Sequence, residues 1–248
     1  MVIREEQFQV FKEAHRSNVE KALVEHCREY APRLFGAAGE NGIGQAVHVG
    51  LQRAQGYSFP DLPQVRFYID LMLVLGSDFD TDPQFPWATE TLKDRFSRPH
   101  VRGMILHRDL SLYLDRVMGP GKEHLKDALD RFAGLPSELP SPPRRDISSL
   151  RGWVRLLFPQ KSDDVSDAHL GQIAEAATQQ ANEFGLPAGD AILACVMLVF
   201  GHGATHDPLY PWISSVLRDP QITSGEGRLQ RLWAKLRIYG ASAGKHLA

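Results

Sequence analysis

The sequence predicts an all-α protein in which two pseudo-repeated multi-helix units pack into one helical body. Three observations carry that expectation. Apolar residues recur at the helical period over long stretches. No stretch alternates with period two in β-branched residues, as a half-buried strand would. Ten of 23 positions from Met72 to Asp94 recur without a gap from Met197 to Asp219, where chance would give about one or two. The first copy reads MLVLGSDFDTDPQFPWATETLKD and the second MLVFGHGATHDPLYPWISSVLRD.

The elements follow in order. A first helix is expected from Glu5 to Tyr30, with Phe8, Phe11, Val19, Ala22, Leu23, Cys27 and Tyr30 near the helical period and Pro32 beyond its end. A second runs from Ile43 to Gln55 on the stripe Ile43, Val47, Leu51 and Ala54. A third, Leu62 to Leu75, is apolar nearly all round at its end, so it is read as a central buried helix stopped by Gly76. A short helix from Pro83 to Lys93 is expected next, with Asp82 as its N-cap, Pro86 in its first turn, and Trp87 and Leu92 facing inward. Helices over Val101 to Met118 and Lys122 to Phe132, with Gly119-Pro120-Gly121 between them, form a connector. Gly134 to Arg145 holds four prolines and reads as an exposed, semi-rigid linker.

The second unit repeats the order. HCREYAP at His26 to Pro32 aligns with WVRLLFP at Trp153 to Pro159, an offset of 127. Gly44-Gln45 pairs with Gly171-Gln172, Ala54 with Ala181 and Tyr57 with Phe184 at that offset. It falls to 125 in the signature, so two residues are missing near Pro187. Leu229, Leu232, Trp233 and Leu236 mark a closing amphipathic helix whose Arg228, Arg231, Lys235 and Arg237 read as its solvated face. The division expected is 1–133 for the first unit with connector helices, 134–146 for the linker and 147–248 for the second unit.

Composition narrows the function. With 248 residues, 43% hydrophobic and 23% charged, the chain reads as an ordinary globular protein. A net charge of −2 gives no reason to expect a nucleic-acid partner. Cys27 and Cys195 are too few for a disulfide framework and read as buried thiols. The opening MVIREEQFQVFKEAHR lacks an apolar signal core. The longest apolar run, Ala191 to Phe200, is ten residues, about half a membrane span. A cytoplasmic protein without a membrane partner is the expectation.

Asp78, Asp80 and Asp82 open like a calcium loop, but the sixth and twelfth positions hold Pro83 and Thr89 instead of the required glycine and glutamate. His202 and His206 have the spacing of a zinc pair, yet they straddle Gly203 in a loop with no third ligand in view. Gly119 to Lys122 lacks the spacing of a phosphate loop. No nucleophile elbow or catalytic cysteine signature occurs. No catalytic residue, metal or cofactor is therefore assigned. Residues kept by both copies (Gly76 and Gly201, Asp82 and Asp207, Pro83 and Pro208, Pro86 and Pro211, Trp87 and Trp212) are read as structural. The diverged loops, with Ser77, Asp78, Phe79, Asp80, Asp82, His202, His206 and Tyr210, are read as a partner-binding surface.

The run YIDLMLVLGSDFDTDPQFPWA, preceded by RAQGYSF and followed by YLDRVMGPGKEHL, resembles a family of uncharacterised bacterial proteins encoded in type VI secretion islands beside spike and effector genes. The resemblance covers about residues 1 to 132 and brings no catalytic residues with it. It implies a non-enzymatic accessory protein, an adaptor or chaperone that binds an effector or spike component. The alternatives are an immunity protein that neutralises a cognate toxin and, further off, a metal-dependent enzyme using His202, His206 and Asp207.

Overall fold

A computed structural model describes residues 5–138, 146–186 and 189–244, with side chains described at Ala14 and from Arg16 onward. Within them the chain forms twelve helices and no strand. The first five are α1 (Glu5–Tyr30), α2 (Pro32–Gly56), α3 (Leu62–Leu75), α4 (Pro86–Lys93) and α5 (Pro99–Met118). Then come α6 (Glu123–Ala133), α7 (Ile147–Leu157), α8 (Pro159–Asp164) and α9 (Asp167–Glu183). The last three are α10 (Asp190–Phe200), α11 (Pro211–Leu217) and α12 (Gly225–Gly244).

Helix boundaries fall at matched positions in the two halves. The ends of α1 and α7 and of α2 and α9 lie 127 residues apart, and those of α3 and α10 lie 125 apart. Gly39, at φ 72°, kinks α2, and the matched position is Ser166, which separates α8 from α9 and caps α9 by accepting from the His169 amide at 3.2 Å. The exits agree as well. Phe59 N–H donates to Ala54 at 3.0 Å, and Leu186 N–H donates to Ala181 at 2.8 Å.

The last helix of each half also matches. α5 and α12 share both bounds at an offset of 126. Arg102 of α5 donates to the Tyr57 carbonyl at 2.6 Å, and Arg228 of α12 donates to the Phe184 carbonyl at 3.0 Å. Leu106 and Leu232, at 0% exposure, fall at the same offset. The sequence pattern alone assigns α5 to a connector. It is instead the counterpart of α12, which leaves α6 as the one described helix between the halves. The correspondence is faint in the sequence because α5 and α12 share few identities, and those lie on the core-facing stripe.

Two other expectations are corrected. α2 begins at Pro32 rather than Ile43, because its glycine-rich start hides a helix that Pro32 can open at its first position. α4 begins at Pro86 rather than Pro83, with Phe85 at its N-cap position and no side-chain cap. Asp82 and Asp207 are therefore not helix caps.

One continuous hydrophobic core runs through both halves, and Cys27 and Cys195 lie in it as free thiols. Burial raises both thiols to about 12, so they stay protonated and unreactive near neutrality. On its flank, His26 Nε2 lies 2.6 Å from Asp70 Oδ1 and ties α1 to α3. Trp87 and Trp212 are half-buried against the core rather than enclosed by it. The described start of the linker is tethered, because Trp233 Nε1 donates to the Pro136 carbonyl at 2.9 Å. Residues 139–145 and the expected two-residue loss near Pro187 lie outside the described residues. No described helix is long and apolar enough to cross a membrane.

Candidate functional site at the junction of the signature loops

α3 and α10 meet end to end at their terminal glycines. A Cβ on Gly76 would lie 2.7 Å from the Phe200 carbonyl oxygen, and one on Gly201 would lie 3.2 Å from the Leu75 carbonyl oxygen. Both glycines adopt positive φ, 99° and 95°, which turns the chain sharply out of each helix. The two signature loops leave from this point and bind each other.

The exchange is reciprocal. Asp207 Oδ2 accepts from the Ser77 amide at 2.8 Å, and Asp82 Oδ2 accepts from the His202 amide at 2.7 Å. Ser77 and His202 are matched positions, one residue past each glycine. Each aspartate also folds its own loop, Asp82 Oδ1 accepting from the Gln84 amide at 2.9 Å and Asp207 Oδ1 from the Leu209 amide at 2.8 Å. Such an Asx turn is what an aspartate ahead of proline readily forms. The motif aspartate therefore closes its own turn with one oxygen and clamps the other half with the second.

Around this symmetric centre the side chains differ. Ser77 Oγ donates to Asp207 Oδ1 at 2.6 Å. His202 Nδ1 lies 3.4 Å from Asp82 Oδ2. Gln84 Nε2 donates to Asp82 and also to the Met197 carbonyl at 2.9 Å. Burial pushes the Asp207 carboxyl up, against the Ser77 hydroxyl and the amides that hold it down. Burial disfavours a charged His202 ring, but Asp82, with Asp78 and Asp80 behind it, outweighs that and raises its pKa.

A second layer ties each loop to its own half. Arg53 donates to the Ser77 carbonyl at 2.8 Å, to Asp80 at 3.2 Å and to Asp78 at 2.5 Å. Tyr57 donates to Asp80 at 3.0 Å. In the other half Gln180 takes the place of Arg53 and Thr205 that of Asp80, and Thr205 Oγ1 donates to Gln180 Oε1 at 2.6 Å. An ion pair in one copy is thus a neutral hydrogen bond in the other.

The structure sorts the sequence candidates by burial. Ser77, Asp80 and Asp82 are buried, and so are Phe79 and Tyr210, so none of these five offers a surface to a partner. The expectation of a loop surface is corrected there, because each loop is the other's partner. Asp78 and His202 are half-buried, and His206 is exposed. The three aspartates do not converge: Asp78 and Asp80 face Arg53, while Asp82 faces His202 and Gln84. The histidines separate too, His206 Nε2 lying 3.7 Å from Glu183 and its ring 6.0 Å from that of Phe184. Gly76, Gly201, Asp207 and the prolines Pro83, Pro86, Pro208 and Pro211 sit in the junction or at the helix starts beside it.

Sequence reasoning passed over Arg53, Gln84 and Lys161. Lys161 is 3% exposed, donates to the Tyr113 hydroxyl at 2.5 Å and lies 4.6 Å from the centre of the Phe85 ring. Desolvation lowers its pKa to about 8, against the pull of Asp82 and Asp164. The signal available was the repeat itself: Lys161 aligns with Leu34, so a cation stands at a position that is aliphatic in the other half.

Elsewhere, α1 and α2 bound an open cleft of about 990 Å³ in which Glu20 pairs with His48 at 3.1 Å. Comparison of the chain with family models, curated proteins and solved structures returned no match.

Proposed function

We propose that the chain is a non-enzymatic helical adaptor or chaperone whose two halves act as one rigid binding body. The observation that carries this reading is the reciprocal aspartate clamp. It commits the polar groups of the most distinctive motif, Asp82, Asp207, Ser77 and Gln84, to joining the halves. On that reading the D-F-D-x-D-P-x-x-P-W string is a mark of architecture, and recognition is left to the outer helix faces. The resemblance to proteins of type VI secretion islands supplies the expected partner, a secreted effector or a spike component.

The test is affinity purification of the tagged chain from a host carrying such a system, together with an export assay after deletion. The expected result is recovery of an effector or spike component and loss of its export. Recovery of no secretion component would overturn the proposal. So would protection of the host against a neighbouring toxin with export intact, which is the behaviour of an immunity protein.

A further inference from the structure

The match between α5 and α12 shows what is missing from one half. At the offset of 126, Gly103, Met104 and His107 of α5 stand where α12 has Leu229, Gln230 and Trp233. In the second half this face is occupied. Leu229 and Trp233 are 3% and 2% exposed. The non-helical segment 134–137 crosses them, its Pro136 carbonyl accepting from Trp233 Nε1 and its Ser137 carbonyl from Gln230 Nε2, both at 2.9 Å. Leu135 of that segment packs against the core.

In the first half the same face is an open groove of about 440 Å³. Phe59, Gln64 and Phe67 form one wall. His100, Gly103, Met104 and His107 form the other, His100 lying three and four residues before Gly103 and Met104 and His107 four and three after them, so that all share one side of α5. Met104 is 70% exposed. Gln64 Oε1 is buried and has no hydrogen-bond partner among the described residues. The corner leading into α5 adds Phe96, fully exposed, and the exposed cations Lys93, Arg95 and Arg98. Within residues 93–98 the one acid is Asp94, whose carboxylate accepts from the Phe96 amide at 2.9 Å.

We propose that the α3–α5 groove docks a short, non-helical, acidic segment of a protein partner, laid across α5 as residues 134–137 lie across α12. The inference rests on the adaptor reading only in requiring that the partner be a protein. The occupant's chemistry follows from the groove. An aliphatic residue next to proline suits the apolar walls at Phe67 and Met104, just as Leu135, next to Pro136, packs on the core in the other half. The His107 imidazole, matched to the Trp233 indole, donates to a carbonyl of the segment. Acidic flanks meet Lys93, Arg95 and Arg98, which favours such segments over neutral or basic ones.

Selection of displayed random peptides on the intact chain at physiological salt tests this. Enriched peptides are expected to carry Asp and Glu around an aliphatic-proline core and to bind saturably. Met104→Glu should weaken that binding by about tenfold or more, with an unchanged melting curve because the side chain is exposed. Absence of binders, binders without acidic residues, or binding indifferent to Met104→Glu would overturn the proposal. A dimer abolished by Met104→Glu in sedimentation would overturn it as well, by making the occupant a second copy. Failure here with a secretion component still recovered by the Met104→Glu chain leaves the adaptor reading standing. Peptide binding with no secretion component recovered by the intact chain leaves the groove standing and removes the adaptor.

Discussion

The Asp207 carboxylate is 3% exposed and takes the amide and hydroxyl of Ser77 and the amide of Leu209. Asp207→Ala strands these donors in the interior, and a loss of about 3–5 kcal/mol is expected from urea unfolding. A loss below about 1 kcal/mol would contradict the clamp. The folded-state pKa values of Asp207 and His202 are both raised, so their contributions to stability are present at low pH and are lost as pH rises through those values. Lys161 has the opposite sign. Its pKa falls from 10.5 to about 8, so stability rises with pH across that interval. The Lys161→Met chain should therefore gain on the wild type at pH 7, and the gap should narrow by up to about 3 kcal/mol as pH approaches 10. A gap independent of pH would show that the ammonium is not desolvated. Trp87 and Trp212, being half-buried, should cost less on truncation than the about 3–5 kcal/mol of an enclosed ring.

Among the elements, α3 and α10 depend on the absence of a side chain where they meet. At Gly76 a methyl group would press to 2.7 Å on the Phe200 carbonyl oxygen at a φ of 99°, while at Gly201 the nearest atom would be 3.2 Å away. Both substitutions to alanine should destabilise by about 1–3 kcal/mol through backbone strain. Gly76→Ala should be the worse of the two, and equal melting temperatures would argue against a tight junction. The glycines that stop these helices were readable from sequence because a helix stop is a local property. The start of α4 was not. Asp82 followed by proline suits an N-cap and an Asx turn equally well, and which one forms depends on the His202 amide 120 residues away.

At the scale of the whole molecule, the continuous core and the crossed aspartates predict that the halves unfold together. Trp87 reports on the first half, and Trp153, Trp212 and Trp233 report on the second. In a variant that retains Trp87 alone, and in one that retains Trp233 alone, the fluorescence curve in urea should superimpose on that same variant's far-UV circular dichroism curve. Two separated transitions would show that the halves are independent domains. The same comparison of halves exposes the open groove on α5, since only one of two matched faces has its covering segment among the described residues.

Local and periodic information in the sequence determined the helical class, the spans of α1 and α3, the repeat of the signature, the glycine stops and the burial of Cys27 and Cys195. Each of these depends on neighbours within a few turns or on a strict period. The candidate site was legible in which residues it contains, but not in what they bind. Ser77 and Asp207 are 130 residues apart in the chain, and only docking of the two halves makes the serine amide a closer partner for that carboxylate than water. The docking also decided that the loops face inward and that Lys161 lies between aromatic rings. It left the face of α5 open, where the matching face of α12 is covered. Burial is the reason in each case: it removes water as the competing partner, and which groups lose water is set by how the helices pack.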